Sequence, residues 1–227
     1  MQTPYPSYKV VIASEDQTRC AHFQIRYMVY CEKKKYEPSN LFPDGYERDA
    51  HDAHSLHMLL KYQPPGSQND RNVGALRLIP GGNRPLPIEH LADLNHRESI
   101  TDATGELSRL AIHGAPAGHD SLPLFVLCHA AQRHAAACGM SRLYFLARPA
   151  LARHLTRNHL PLQQAGPPCY HRGKRIPYSL DVYDFAKGLD QWRHKLDNQW
   201  LSARGSASTN NPLKKWCETI ETKKISV

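Results

Sequence analysis

Apolar and polar positions alternate along this chain with two different periods. Tyr8 to Ala13 is a short apolar run that reads as a strand. From about Glu15 to Lys35, the residues Cys20, Phe23, Tyr27, Tyr30 and Cys31 recur at helical spacing. That spacing predicts a helix with those side chains on one face and Arg26 at the border. Pro38 closes the region, and Pro43-Asp44-Gly45 predicts a turn. Strands follow at Ser55 to Tyr62 and at Asn72 to Ile79, ended by Pro64-Pro65-Gly66 and Pro80-Gly81-Gly82. Residues 83–104 are irregular apart from one helical turn near Ile88 to Leu94. A strand from Leu107 to Ile112 precedes a helix from Leu122 to Cys138, with Gly139 as its stop signal. A strand at Arg142 to Ala147 and a helix at Pro149 to His159 come next. Gln163 to Val182 holds one or two strands around a turn at His171-Arg172-Gly173-Lys174, and a last helix runs from about Phe185 to Ser202.

The resulting order, β-α-β-β-β-α-β-α-β, mixes adjacent strands with helical crossovers. It predicts an α+β or mixed α/β sandwich, and neither an eight-fold barrel nor a doubly wound dinucleotide fold. A chain of 227 residues can bury a proper core. One domain is expected over 1–203, with 204–227 a linker-like tail around Gly205, Ser206 and Ser208.

Charge narrows the partners. The formal net charge is +8, which suits either an acidic protein partner or a plainly solvated basic surface. The basic residues are scattered (Lys33-Lys34-Lys35, Arg172, Lys174, Arg175, Lys214-Lys215), and no nucleic-acid-binding motif accompanies them. No signal peptide or spanning segment is apparent, so a cytoplasmic protein is expected. The six cysteines form no CxxC pair, which fits reduced thiols in that compartment.

The charged residues beside the apolar runs carry the chemistry. Glu106 and Arg109 stand three apart at the head of one run; Glu47, Asp49 and Asp52 lead into another; Arg77 sits inside a third. Opposite charges beside buried strands are costly to leave unpaired. A buried network of Arg26, Asp49, Asp52, Arg77 and Arg109 would satisfy all five. The plainer alternatives are a solvated acidic turn for Asp49 and Asp52 and an exposed strand position for Arg77. His51, His54 and His57 beside the aspartates raise zinc, but their spacing suits neither a helix face nor one side of a strand, and no metal site is expected. Cys31, on the apolar helix face, reads as a buried structural thiol before a nucleophile.

These residues fall into four spaced motifs, in order: Phe23-x-Ile25-Arg26-Tyr27-x-Val29-Tyr30-Cys31, Glu47-x-Asp49-x-x-Asp52, Gly74-x-Leu76-Arg77-Leu78 and Glu106-Leu107-Ser108-Arg109. Together they resemble the autoinducer (N-acyl-homoserine lactone) synthases and the N-acyl amino acid synthases, over roughly residues 8–185. The variant with Arg26-Tyr27-x-Val29-Tyr30-Cys31 and Asp52-x-His54-Ser55-x-His57 looks closer to the acyltransferases associated with PEP-CTERM/exosortase systems. The resemblance implies the GNAT fold, whose splayed parallel strands admit the pantetheine arm of a donor. It implies an acyl carrier protein as donor, an amine as acceptor and no bound cofactor. Glu106 then becomes the candidate base, through a water, unless it only orders Arg109, the second candidate catalytic residue. Arg26, Glu47, Asp49, Asp52, Arg77 and Ser108 would bind substrate. The backbone amides of Leu110, Ala111 and Ile112 would pair with the pantetheine arm by strand addition.

Two departures qualify the likeness. Tyr36 stands near the place where autoinducer synthases carry a Trp, so S-adenosylmethionine is not assumed as the acceptor. No Q/RxxGxG/A loop follows Ile112, and Pro116 in His113-Gly-Ala-Pro-Ala-Gly118 removes an amide donor, so a carrier protein is expected over free coenzyme A. The expected function is transfer of a long fatty acyl chain from acyl carrier protein to an amino acid or related amine. A non-catalytic carrier- or lipid-binding protein on the same fold is the alternative, and a nucleic-acid-binding module a third.

Overall fold

A computed structural model describes residues 7–82, 84–95, 100–116 and 121–204. The expected C-terminal tail and the end of the His113–Gly118 loop lie outside the described residues. The chain opens with β1 (Ser7–Ile12) and α1 (Asp16–Tyr27), which continues as a π-helical turn through Met28–Lys33. An antiparallel pair follows, β2 (Leu56–Gln63) and β3 (Arg71–Pro80), then the short α2 (Pro87–Leu91) and β4 (Thr104–Ile112). The second half runs α3 (Leu122–Ala137), β5 (Arg142–Ala147), α4 (Pro149–Arg157), β6 (Gln163–Gln164), β7 (Cys169–Tyr170), β8 (Lys174–Asp181) and α5 (Val182–Arg204).

The strands form one twisted sheet in the order β1-β2-β3-β4-β5-β8-β6, with β7 paired to β8. All pairings are antiparallel except β4 with β5. That parallel pair holds only from Thr104 to Glu106 opposite Arg142 to Tyr144, and then the strands diverge. Gly105 lies in the short paired stretch. A Cβ there would stand 2.9 Å from Met140 Sδ and 3.1 Å from the Ile79 carbonyl, so only glycine lets the strands approach so closely.

Each face of the sheet buries a separate apolar layer. Leu76, Leu78 and Leu143 pack with Phe125 of α3 and with Phe185 and Trp192 of α5. Ala75 and Ala111 face the other way, against Ile25 and Val29 of the first helix. A third, smaller cluster joins Ile79 and Tyr144 to Ile88 of α2. β2 is buried on both faces, so its run Met58, Leu59, Leu60 is continuously apolar rather than alternating.

The mixed α/β architecture expected from the pattern is the one observed. The buried face of α1 differs from the expected one. Cys20 is exposed, and the stripe turned inward is His22, Ile25, Arg26 and Val29. Apolar spacing misplaces this face because two of its buried members are polar and find partners inside. Helix α5 starts earlier than expected because the Asp181 carboxylate caps it, accepting from the amides of Tyr183 (2.9 Å) and Asp184 (3.1 Å). β4 also starts earlier, at Thr104, where pairing on both sides draws Gly105 and Glu106 into the sheet.

Candidate functional site

Three arginines and three carboxylates, drawn from α1, the loop after it, β3 and β4, close into an alternating ring. Arg26 Nε donates to Glu47 Oε2 (2.5 Å), whose other oxygen accepts from Arg109 Nε (3.0 Å). Arg109 Nη2 reaches Asp49 Oδ2 (2.8 Å), and Asp49 Oδ1 accepts from Arg77 Nη1 (2.6 Å). Arg77 also binds Asp52 Oδ1 (2.8 Å), and Asp52 closes the ring on Arg26 through two bonds of 2.6 and 3.0 Å. Arg26 is fully buried, and Arg77 and Glu47 are 1% exposed. Charges this deep persist only because each guanidinium fork meets carboxylate oxygens.

Local backbone geometry aims these groups. Asp49 caps the 3-10 turn Ala50–His54, accepting from His51 N (2.9 Å), while Asp52 accepts from Asp49 N (2.7 Å). The reciprocal caps hold both carboxylates toward the arginines. In β4 the register against β3 slips between Ala75 and Arg77, a bulge that gives the strand an extra residue. Arg109 sits at the bulge with φ of +55°, a conformation that costs about 1–2 kcal/mol in a non-glycine residue. The extra residue lets consecutive side chains serve one face: Ser108 Oγ accepts from Arg77 Nε (3.0 Å), and Arg109 reaches Glu47 and Asp49. The π-helical turn places Tyr30 below Arg109, with the guanidinium 5.7 Å from the ring centroid and the hydroxyl donating to the Leu110 carbonyl (3.0 Å).

Electrostatics set these groups apart. Burial pushes Asp52 upward, but its hydrogen bonds and charge contact with Arg26 override that and hold it well below the usual carboxylate range. Asp49 is likewise lowered, against burial, by Arg77 and Arg109. Glu106 goes the other way. Burial raises it to about 7, against the hydrogen bond from Ile88 N (2.8 Å) and the charges of Arg77 and Arg109. Among the described residues it joins no ion pair, so desolvation wins over attraction. Beside the ring, the rings of His22 and His57 stand 4.8 Å apart. Burial lowers both and keeps them neutral. Cys31 is buried and its thiol is pushed up to about 11 by burial and the neighbouring Glu47 and Glu37, which makes it a poor nucleophile.

An apolar slot opens where β4 leaves β5. Glu106 is the last residue of β4 to pair with β5, and the slot's lining begins at the next residue, Leu107. The cavity of about 140 Å³ is lined by Tyr30, Ser108, Arg109 and Leu110 and, from the helices, by Cys128, Leu155 and Phe185.

Arg26, Glu47, Asp49, Asp52, Arg77, Ser108 and Arg109 therefore come together. Glu106 lies on the same sheet face but outside the ring's bonds. Leu110 meets the slot, its carbonyl already taken by Tyr30, whereas Ala111 packs under α1 and its side chain is remote from the opening. The partly buried Ile112 packs on the opposite layer. His51 and His54 ride the 3-10 turn, while His57 is buried on β2 with its Nε2 on the Asp52 carbonyl (3.0 Å), so the three imidazoles do not converge. Sequence reasoning passed over Tyr30's contact with β4 and the outer extension in which Glu37 bridges Arg109 (3.8 Å) and Arg172. Neither has a local signal, since both depend on a bulge and a distant hairpin.

The chain was compared with known proteins. Residues 25–144 match the acetyltransferase (GNAT) domain family. No curated protein matches in sequence. Among solved structures, the fold is similar to TofI in a ternary complex with an inhibitor and MTA, with TM-score 0.62 and 23% identity over 81% of this chain and 96% of that one. BjaI, a CoA-dependent acyl-homoserine lactone synthase with MTA, gives TM-score 0.64 and 18% identity over 83% and 90%. FeeM, an N-acyl amino acid synthase from uncultured soil microbes, gives 0.54 and 15% over 81% and 96%.

Proposed function

The chain belongs to the acetyltransferase (GNAT) family, and from that premise we propose that it moves a fatty acyl group from a carrier-bound thioester to the amine of an amino acid or related small molecule. The observation that carries the reading is the point of divergence in the sheet. There a carboxyl raised to about 7 stands where β4 and β5 part and an apolar slot begins. A general base works best with its pKa near the working pH, and an acyl chain needs a dry channel that ends at the reacting carbonyl.

In this reading the acyl chain lies in the slot and its thioester carbonyl sits near Leu107 and Ser108. The acceptor nitrogen attacks the carbonyl carbon, the C–S bond breaks, and the sulfur leaves as a thiolate that takes up a proton as the amide forms. Glu106 takes the proton that the amine loses, directly or through a water. Amides on the free edge of β4, from Leu110 toward Ile112, serve the pantetheine arm and the developing oxyanion. The neutral ring of Arg26, Glu47, Asp49, Asp52, Arg77 and Arg109 holds β4 and the loop after α1 in a fixed relation, with Arg109 positioned at the slot.

An acyl carrier protein is the donor we favour. Arg109 and Arg175 line the slot, and further basic side chains gather around Tyr36 and Glu37: Arg148 donates to the Tyr36 hydroxyl (2.7 Å), Arg175 lies over the Tyr36 ring (5.3 Å), and Arg172 meets Glu37. Such a cluster suits an acidic carrier, and Pro116 removes one amide donor from the segment where a pyrophosphate would be cradled. The four motifs support the autoinducer and N-acyl amino acid synthase type, and their variant form the exosortase-associated group. No helix among the described residues is long and apolar enough to cross a membrane.

The deciding assay is thiol release from acyl carrier protein and from the matching acyl-coenzyme A, with and without amino acids, followed by mass spectrometry. Acceptor-dependent release with a new N-acyl mass, faster from the carrier and more sensitive to salt, is the expected result. Carrier binding without any product would move the assignment to a non-catalytic binding protein. Equal use of coenzyme A would remove the carrier preference.

A further inference from the structure

A second, wider basin lies on the far side of β3 from the slot, and the geometry points to a role for it: it holds an anionic group, carboxylate or phosphate, of the acceptor amine. The inference rests on the acyl-transfer reading for its second half, the identity of the molecule that carries the anion.

The basin has a volume of about 610 Å³, within the range of small-molecule sites. Its floor is the end of β3, Ile79 to Gly81. One wall is the 3-10 turn with His51 and His54, and the other is Arg84, ahead of α2, and His90 in its last turn. Arg84 Nη1 touches His54 Nε2 across the opening. All four polar side chains of the wall can present N–H donors, and Arg84 is permanently charged. No carboxylate lines the basin among the described residues.

The carboxylates close by are turned elsewhere. Asp49 and Asp52 belong to the same 3-10 turn as His51 and His54, but both are committed to the arginine ring. Glu89 sits on α2 beside His90, and its carboxylate accepts from Leu86 N (2.6 Å). The turn and α2 therefore point their acids away from their nitrogen donors; Asp102 stands outside the lining, against Gly82 beside the floor, and the side chains that face a bound anion are donors.

Its position ties the basin to the chemistry. Ile79, in the floor, pairs with Glu106 across the β3–β4 ladder, and opposed Cα atoms in such a ladder lie about 5 Å apart. The α2 backbone that holds Glu106 through Ile88 N carries His90 two residues on. An acceptor with its amine toward Glu106 thus has its other end over Arg84 and the imidazoles. The cationic wall disfavours amines that carry no anion.

Two measurements test this. Titration of the full chain with inorganic phosphate and with acetate, followed by NMR of the histidine imidazoles, is expected to give saturable shifts that Arg84→Ala weakens by about tenfold or more. The tighter of the two anions names the head group. Absence of saturable binding, or identical binding by the variant, would overturn the proposal. The second measurement compares kcat/KM for amino acids against their methyl esters, and for phosphoethanolamine against ethanolamine. Wild type should prefer the anionic member of a pair, and Arg84→Ala should reduce that ratio about tenfold. A wild-type enzyme that prefers the neutral member overturns the assignment to the acceptor. Anion binding with no turnover of any amine would leave the basin in place and refute acyl transfer instead.

Discussion

Replacing Arg26 with methionine tests the ring most directly. The guanidinium is fully buried and donates to Glu47 once and to Asp52 twice. Methionine keeps much of the volume but removes all three bonds and one of three positive charges. Of their hydrogen bonds, Glu47 then keeps the one from Arg109, and Asp52 those from Arg77 and the Asp49 amide. Removing one partner of a buried ion pair costs about 3–5 kcal/mol, because a charge stays behind without its counter-charge. In a chain of this size each kcal/mol moves Tm by about 2–4 °C, so Arg26→Met should melt about 6–20 °C below wild type. The pair Lys9–Asp70 (2.7 Å), whose lysine is half-exposed, provides the contrast. Lys9→Met should cost at most about 1 kcal/mol, with an effect that fades in salt. Circular dichroism melts at pH 7, at low and high salt, read both. The combination Arg26→Met with Glu47→Gln should recover part of the loss by removing the stranded charge. An Arg26→Met protein that melts within about 2 °C of wild type would refute the argument, since no buried ring could lose a member so cheaply.

Other outcomes follow from the same geometry. Glu106→Gln should lower turnover by about 10²–10⁴-fold with the fold intact, and near-wild-type rates would remove Glu106 as the base. Activity of the wild type should rise with pH through an apparent pKa of about 7, as the base loses its proton. The stability sign is opposite. A carboxyl raised on folding stabilises fully below its unfolded pKa and loses that contribution as pH rises toward 7, so Glu106→Gln should gain stability relative to wild type at pH 8. Asp49 and Asp52 are lowered on folding, so their contribution is complete above the unfolded value and is lost as pH falls below about 4; acid melts of Asp52→Asn should show a shallower loss than wild type. Arg109→Ala should reduce both Tm and rate, and an unchanged Tm would show that its bonds to Glu47 and Asp49 contribute nothing. Leu151→Trp, in the slot wall, should shorten the preferred acyl chain, at about fourfold in affinity per methylene excluded; an unaltered chain-length profile would take the acyl group out of the slot.

Much of this protein was legible in the chain itself. Period and punctuation located nearly every long element, because strands such as Arg142–Ala147 and helices such as α3 are bounded by Gly, Pro or capping residues that act locally. The need of Arg26, Asp49, Asp52, Arg77 and Arg109 for one another is also readable, since each stands beside an apolar run where an unpaired charge is expensive. Tertiary structure decided the rest. The inward face of α1 is polar in part, and only the Leu76 carbonyl near His22 and the carboxylates around Arg26 make that burial tolerable. The bulge at Arg109 turns two consecutive side chains to one face, which strict alternation forbids and no local residue announces. The raised pKa of Glu106 comes from its burial between strands and α2, which outweighs the hydrogen bond from Ile88 N, 18 residues away. The donors of the basin and the carboxylates of the ring are interleaved in sequence; their separation into two spaces exists only once the 3-10 turn is wound. Local composition determines which groups must be satisfied, and long-range packing determines by whom.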